Sequence, residues 1–306
     1  MNLPDSTEIL PADSDRDLWL TTRREGIGGS DASTVAGVNP FETLYRLWLD
    51  KTGRGIETPY TAEMRFGHLI EDDARQVFTE DTGIGITLAG LHRSNTRPWQ
   101  QCTVDGITSD GGLAEIKSVG WRQAEKWAND QIADHAEVQV QHNMAVTGLP
   151  HAWVIWELER HFYWRRIERN ETFIELLTEM ELEFWERHVL GDEEPPLVAE
   201  DHDTVKALYP RAEPGVVKLS ETDWLRDQLT AHAAAVAAVK AAESEKKRLE
   251  AELIDYIGEA ESAGWWDDDG DQVVAVTRKE HTRSSYTVPA GTYRQLRVLD
   301  RPKKGN

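Results

Sequence analysis

The sequence predicts an α/β (α+β) fold: a central mixed β-sheet flanked by helices, followed by a long C-terminal helix and a small β-hairpin. Three observations carry this. Apolar residues recur at helical spacing over 61–82 and again over 171–190. Short strand-like runs, Leu113–Lys117 and His151–Leu158, lie between them, the second followed at once by a hairpin partner at Phe162–Ile167. A segment starting near Ser220 and running to about Ile257 is Ala-rich and charged with a broken apolar stripe, which reads as one long helix. At 306 residues the chain can bury a sizeable core. The expected division is a flexible arm over 1–15, a main domain over 16–196 and a helical and hairpin appendage over 197–306.

Taken in order, the arm is polar and carries Pro4 and Pro11. Asp15 caps a first helix to Arg23. Gly26-Ile27-Gly28-Gly29 then permits a tight turn, with Ser30 or Asp31 placed to cap the next helix. Backbone N–H groups at such a helix start can receive an anion. Asn39-Pro40 breaks that helix, and another is expected over Phe41–Lys51. The strong helix over 61–82 carries Glu71. Residues 83–101 read as strand, turn and strand, punctuated by Gly90 and Pro98. A helix is expected over Ser118–Asp134 and another over Glu137–Thr147, the latter ended by Gly148-Leu149-Pro150. Beyond the helix that ends near Leu190, residues 197–219 read as irregular. Asp267–Asp271 is expected as a solvated turn, and Gln272–Thr287 as a strand pair carrying Arg278, Lys279 and Arg283.

Composition bounds the chemistry. The chain is 39% hydrophobic, without a run long enough to span a membrane, and its first residues lack the basic-then-apolar order of a secretory signal. The single cysteine, Cys102, excludes an intrachain disulfide and an iron–sulfur cluster held by four cysteines of this chain, and a cytoplasmic protein is expected. A net charge of −21 makes the whole surface a poor nucleic-acid binder. Net charge does not report local fields, so a basic channel within an acidic shell stays compatible with it. The twelve tryptophans are read as packing residues.

The stretch with chemical content is Val104–Lys117. A turn precedes a short strand, so Glu115 and Lys117 share a face while Ile116 points to the core. Asp105, Glu115 and Lys117 could hold a hard divalent cation and a water beside it. Alone, the triplet equally describes a surface hairpin with an ion pair. His68, three residues before Glu71, reads as a helix-surface or core histidine, and Asp110 as a turn residue.

Four ordered blocks set the triplet in context. These are Trp19-x3-Arg23-x3-Ile27-Gly28-Gly29-Ser30-Asp31-Ala32, Gly67-x3-Glu71-x2-Ala74, Asp105-Gly106 through Glu115-Ile116-Lys117, and Gln139-Val140-Gln141-x2-Met144-x-Val146-Thr147-Gly148. Across 19–148 they resemble the PD-(D/E)XK nucleases, and more closely the lambda-exonuclease-like or YqaJ-type viral recombinase branch, with Val104 where the family name has a proline.

The resemblance implies a restriction-endonuclease-like core and a Mg²⁺-dependent DNA exonuclease, with Mn²⁺ as substitute, working 5′→3′ on double-stranded ends for phage-type recombination. It implies that Glu71, Asp105, Glu115 and the backbone carbonyl of Ile116 ligate the metal. Lys117 would activate the attacking water, with Gln139 positioning Lys117 or the water. Arg23 and Ser30 would bind the 5′-phosphate of the strand being degraded. It further implies a single-strand annealing partner and a homo-oligomer, in the best-known relative a ring-shaped trimer. Two alternatives stand beside it: an endonuclease on the same core, and a non-catalytic interaction protein with a degenerate metal site.

Overall fold

A computed structural model describes residues 3–56, 61–127, 131–212, 223–266, 268–269 and 272–277, with the backbone alone at 121, 122 and 272. They belong to two compact units, residues 1–209 and 210–306, each described by itself.

Within the arm expected to be loose, Ser6–Leu10 forms strand β1, which pairs antiparallel with β3 (Leu91–Ser94). Ser6 is buried and its hydroxyl meets His92 Nδ1 at 3.2 Å, so a polar stretch is held by pairing rather than by apolar burial. β3 pairs in turn with β4 (Gln101–Thr103), closing a three-stranded antiparallel sheet in the order β1-β3-β4.

Helix α1 (Arg16–Arg23) is capped by Asp15, whose side chain accepts from the amides of Asp17 and Leu18. α2 (Gly29–Val35) starts where Gly28 N donates to Asp31 Oδ2 at 2.9 Å. The turn before it is pinned to β4, because Gln101 N donates to Ile27 O at 2.9 Å and Ile27 N donates to Trp99 O at 2.7 Å. α3 begins later than the sequence suggests, at Leu44, because Thr43 caps it; it ends at Lys51. α4 (Ala62–Thr82) is capped by Thr61 and ends on Gly83, whose φ of 73° suits a residue without Cβ.

The central sheet has five strands in the order β2-β5-β6-β7-β8: Ile86–Thr87, Gly106–Thr108, Leu113–Ser118, His151–Leu158 and His161–Glu168. Only β6 and β7 run parallel, with Glu115 beside Val154 and Lys117 beside Trp156. Their crossover contains α5 (Asp134–Thr147). Ile116, Ala114 and Ile155 pack with Ala74 and Phe78 of α4, while Val140, Met144 and Val146 of α5 enter a core with Leu113, Ala152 and Val154. The mixed sheet flanked by helices is thus the architecture expected.

α5 is buried on nearly every side from Ala136 to Thr147. Its polar residues must therefore be bonded internally. His142 lies between Glu181 Oε1 at 2.7 Å and Gln101 O at 3.0 Å, and Gln141 bonds Glu168 O at 2.9 Å.

Other elements depart from expectation. The helix expected over 118–134 is a 3₁₀ turn over Trp121–Trp127, and residues 128–130 lie outside the described ones. α6 (Glu171–Glu183) passes into a π-helical turn over Phe184–Leu190. Residues 199–208, expected to be irregular, form a 3₁₀ turn and α7 (His202–Leu208), where Val198 N donates to Asp201 Oδ2 and the buried Asp201 also meets the Thr43 hydroxyl.

In the second unit, α8 (Asp223–Ile257) is a single helix of 35 residues, the length expected. β10 (Gln272–Thr277) pairs antiparallel with β9 (Ser262–Trp266) in a hairpin, and the rest of the strand pair expected over 272–287 lies outside the described residues. The helix start at Ser220–Thr222 and the basic residues Arg278, Lys279 and Arg283 lie outside the described residues. No described helix is long and apolar enough to cross a membrane.

Candidate active site

The chain leaves the three-stranded sheet at Thr103 and joins the five-stranded sheet at Gly106, so Asp105 sits at the corner between them. Its Oδ2 accepts from the amide of Ile116 at 2.6 Å. This bond ties the corner to β6 midway between Glu115 and Lys117. The turn is anchored separately: Asp110 accepts from the Thr108 hydroxyl and from Trp153 Nε1 at 3.0 Å, so it serves the turn.

Glu115 is buried, and α5 reaches it from its other side. Gln139 Nε2 donates to Glu115 Oε1 at 2.6 Å, and Asn143 Nδ2 donates to Oε2 at 3.3 Å. Lys117 Nζ donates to Glu115 Oε1 at 2.8 Å and to Gln139 Oε1 at 2.7 Å. The three side chains close a hydrogen-bonded triangle that fixes the ammonium. α2 can approach α5 this closely because position 29 is glycine: a Cβ there would stand 2.4 Å from Asn143 Oδ1 and 2.9 Å from Gln139 Cγ.

Glu71 comes from α4 and faces the same cleft, with Arg75 Nη1 at 3.7 Å. Arg75 also donates to the carbonyl of Asp105 at 3.2 Å. Burial, and then the charge of Asp105, lift Glu71 to about 7. Glu115 is lifted to about 7 by burial, with Lys117 opposing and Asp105 adding to the rise. Asp105 is raised by burial as well, against the Ile116 amide and Lys117. For Lys117 burial works against the charge, but Glu115 and the other acids keep it above the ordinary lysine value.

Three carboxylates are thus held in one partly enclosed region with too little positive charge to satisfy them. Such a set suits a hard divalent cation. As the side chains stand, no three His, Cys, Asp or Glu among the described residues converge into a ready-formed metal cluster.

The cleft, about 420 Å³, is also lined by Arg23, Ser30 and His68. Arg23 lies over the Trp19 ring at 5.1 Å, and its Nη2 reaches Asp31 Oδ1 at 3.0 Å and Ser30 Oγ at 3.4 Å. Beneath them Lys51 Nζ, fully buried, contacts Asp31 Oδ2 at 2.5 Å and Arg23 O at 3.0 Å. Burial would raise Asp31, but Lys51 and Arg23 hold it down to about 2. Two basic side chains thus share the one carboxylate of Asp31 beside Ser30.

The structure therefore brings Glu71, Asp105, Glu115, Gln139, Arg23 and Ser30 into one cleft, with Lys117 bonded into its wall. Sequence reasoning missed Asn143, Lys51 and Arg75. Asn143 and Arg75 each lie four residues after a residue already singled out, a helical spacing that points to a shared face. Lys51 carries no comparable signal.

The YqaJ-like viral recombinase domain matches residues 18–150. The chain is 32% identical over 198 residues to the YqaJ protein of Bacillus subtilis (strain 168), covering 62% of this chain and 62% of that one. The chain thus spans about 62% of the length of the curated relative it matches. Among solved structures, the alkaline exonuclease LHK-Exo of Laribacter hongkongensis aligns with a TM-score of 0.50 at 24% identity, covering 57% of this chain and 93% of the other. The same enzyme in complex with dAMP aligns with a TM-score of 0.50 at 23% identity, covering 62% and 99%. At these identities the solved structures speak for the fold.

Proposed function

We propose, on the premise that this chain carries a YqaJ-like viral recombinase domain over residues 18–150, that it is a divalent-cation-dependent deoxyribonuclease acting on double-stranded DNA ends. The observation that carries the reading is the fixed ammonium of Lys117, 2.8 Å from Glu115 and 2.7 Å from Gln139, on the strand that Asp105 grips through the Ile116 amide.

Glu71, Asp105, Glu115 and the Ile116 carbonyl would hold Mg²⁺, with Mn²⁺ able to substitute. When bound, the cation supplies Lewis-acid activation of the scissile phosphate and charge neutralisation among the acids. Lys117 then orients the attacking water, and Gln139 keeps the ammonium from turning into Glu115 alone.

Arg23 and Ser30 would receive a terminal 5′-phosphate, which sets 5′→3′ polarity. The single strands left behind would serve phage-type recombination in the cytoplasm, with a single-strand annealing protein as partner and a homo-oligomer, a trimer by family analogy, as the working assembly. An exonuclease whose DNA contacts are confined to a cleft is compatible with a net charge of −21.

The test is cleavage of linear duplex labelled at either end, beside a covalently closed circle, with Mg²⁺. The expected result is label loss from the 5′ end and an untouched circle. Nicking of the circle would make the activity endonucleolytic.

A further inference from the structure

A second pocket of about 140 Å³ shares Ser30 and Gln139 with the carboxylate cleft and has Lys117 in its wall. Phe41, Trp127 and His135 add aromatic rings to a lining that is otherwise polar but for Val119. His135 stands edge-on between Phe41, with ring centroids 5.8 Å apart, and Trp127, at 6.1 Å. Phe41 is 63% exposed on the loop after Asn39, and that loop is held because Phe41 N donates to Asn39 Oδ1 at 2.9 Å. A single exposed phenylalanine is ordinary. This one borders a cavity beside the proposed catalytic lysine.

Two further observations say what the cavity would take. Trp127 is 3% exposed, so its ring is a fixed part of the lining. His135 is kept neutral: burial first, then the charges of Lys117 and Lys126, lower it to about 4. The aromatic wall is therefore uncharged, unlike the Arg23 pocket, and suits a flat neutral ring better than a second phosphate.

We propose that this pocket is a nucleobase subsite, receiving the base of a nucleotide that adjoins the scissile phosphate. The base lies against Phe41 and His135, with Trp127 as the fixed part of the lining. The inference rests on the nuclease reading for its substrate. Every base offers a π-face, so the subsite tolerates sequence while demanding that the base be present and unstacked from its neighbour.

The test is binding without cleavage. Duplexes carrying 2-aminopurine at the terminal or at the next nucleotide of the 5′ strand are titrated with the protein in EDTA. Fluorescence is expected to change at one of the two positions. An abasic nucleotide there, or Phe41→Ala, should weaken binding about tenfold, the loss expected for one base–aromatic contact. Phe41→Trp should restore it, and the abasic change should add nothing in Phe41→Ala. No response at either position, or Phe41→Ala binding as tightly as the parent, overturns the proposal. Cleavage with Mg²⁺ read in parallel separates the two claims. Cleavage without a base response leaves the nuclease reading standing and removes the subsite, and a base response without cleavage does the reverse.

Discussion

Asn143 Nδ2 donates to Glu115 Oε2 at 3.3 Å, one helical turn beyond Gln139, which holds Oε1 of the same carboxylate at 2.6 Å. A buried helix thus grips both oxygens of the central acid, and the acid has little freedom to turn. If Glu115 is a metal ligand, its orientation is set by α5.

The first prediction concerns this grip. Asn143→Ala should lower cation affinity or turnover by about 10- to 100-fold, the usual effect of losing a residue that orients a ligand. Gly29→Ala should mimic it without touching either residue, since its new Cβ would stand 2.4 Å from Asn143 Oδ1. That crowding should cost about 1–3 kcal/mol of stability. Rates against cation concentration, with thermal unfolding beside them, check this. A Gly29→Ala protein with parental activity would show that the amides do not set the geometry of Glu115.

The second concerns pH. Glu71 and Glu115 titrate near 7 when folded, against an ordinary value of 4.5. The folded state therefore binds these protons more tightly than the unfolded chain. Their stabilising contribution is complete below the unfolded value and is lost as pH rises through about 7. Cation-free protein should lose thermal stability between roughly pH 5 and 8, and the slope should flatten in Glu71→Gln and Glu115→Gln. Added Mg²⁺ should replace the protons and raise the melting temperature most at the alkaline end. A melting temperature indifferent to Mg²⁺ at high pH would count against cation binding by these acids. Activity should rise with pH across the same range.

A third concerns the anion pocket. Arg23→Ala should abolish any preference for 5′-phosphorylated over 5′-hydroxyl duplex ends. Lys51→Met should do so too, because Asp31 would then draw Arg23 to itself. It should also destabilise the fold by about 3–5 kcal/mol, as breaking a buried ion pair does. A preference that survives both substitutions would place the terminal phosphate elsewhere.

The site was largely legible in the sequence because its residues sit at fixed spacings on regular elements. Strand alternation puts Glu115 and Lys117 on one face and Ile116 on the other, and the structure keeps that alternation. What spacing could not convey was which residues of separate elements meet. Lys51 belongs to the site only because α3 ends under Asp31, a contact with no local signature. β1 was hidden for the same reason: Ser6–Leu10 is held by strand pairing and a buried serine–histidine contact, and carries no apolar stripe. In place of the helix expected over 118–134, a 3₁₀ turn over 121–127 carries Trp127 into the core, where tertiary packing overrides periodicity.

The sharpest test is Lys117→Ala, in the cleavage of 5′-phosphorylated linear duplex with Mg²⁺ by folded protein of parental secondary structure. The parent is expected to degrade the linear duplex and Lys117→Ala to lose at least about a hundredfold in rate, the scale of a general acid–base or water-positioning group. Equal cleavage by the two proteins would contradict the account.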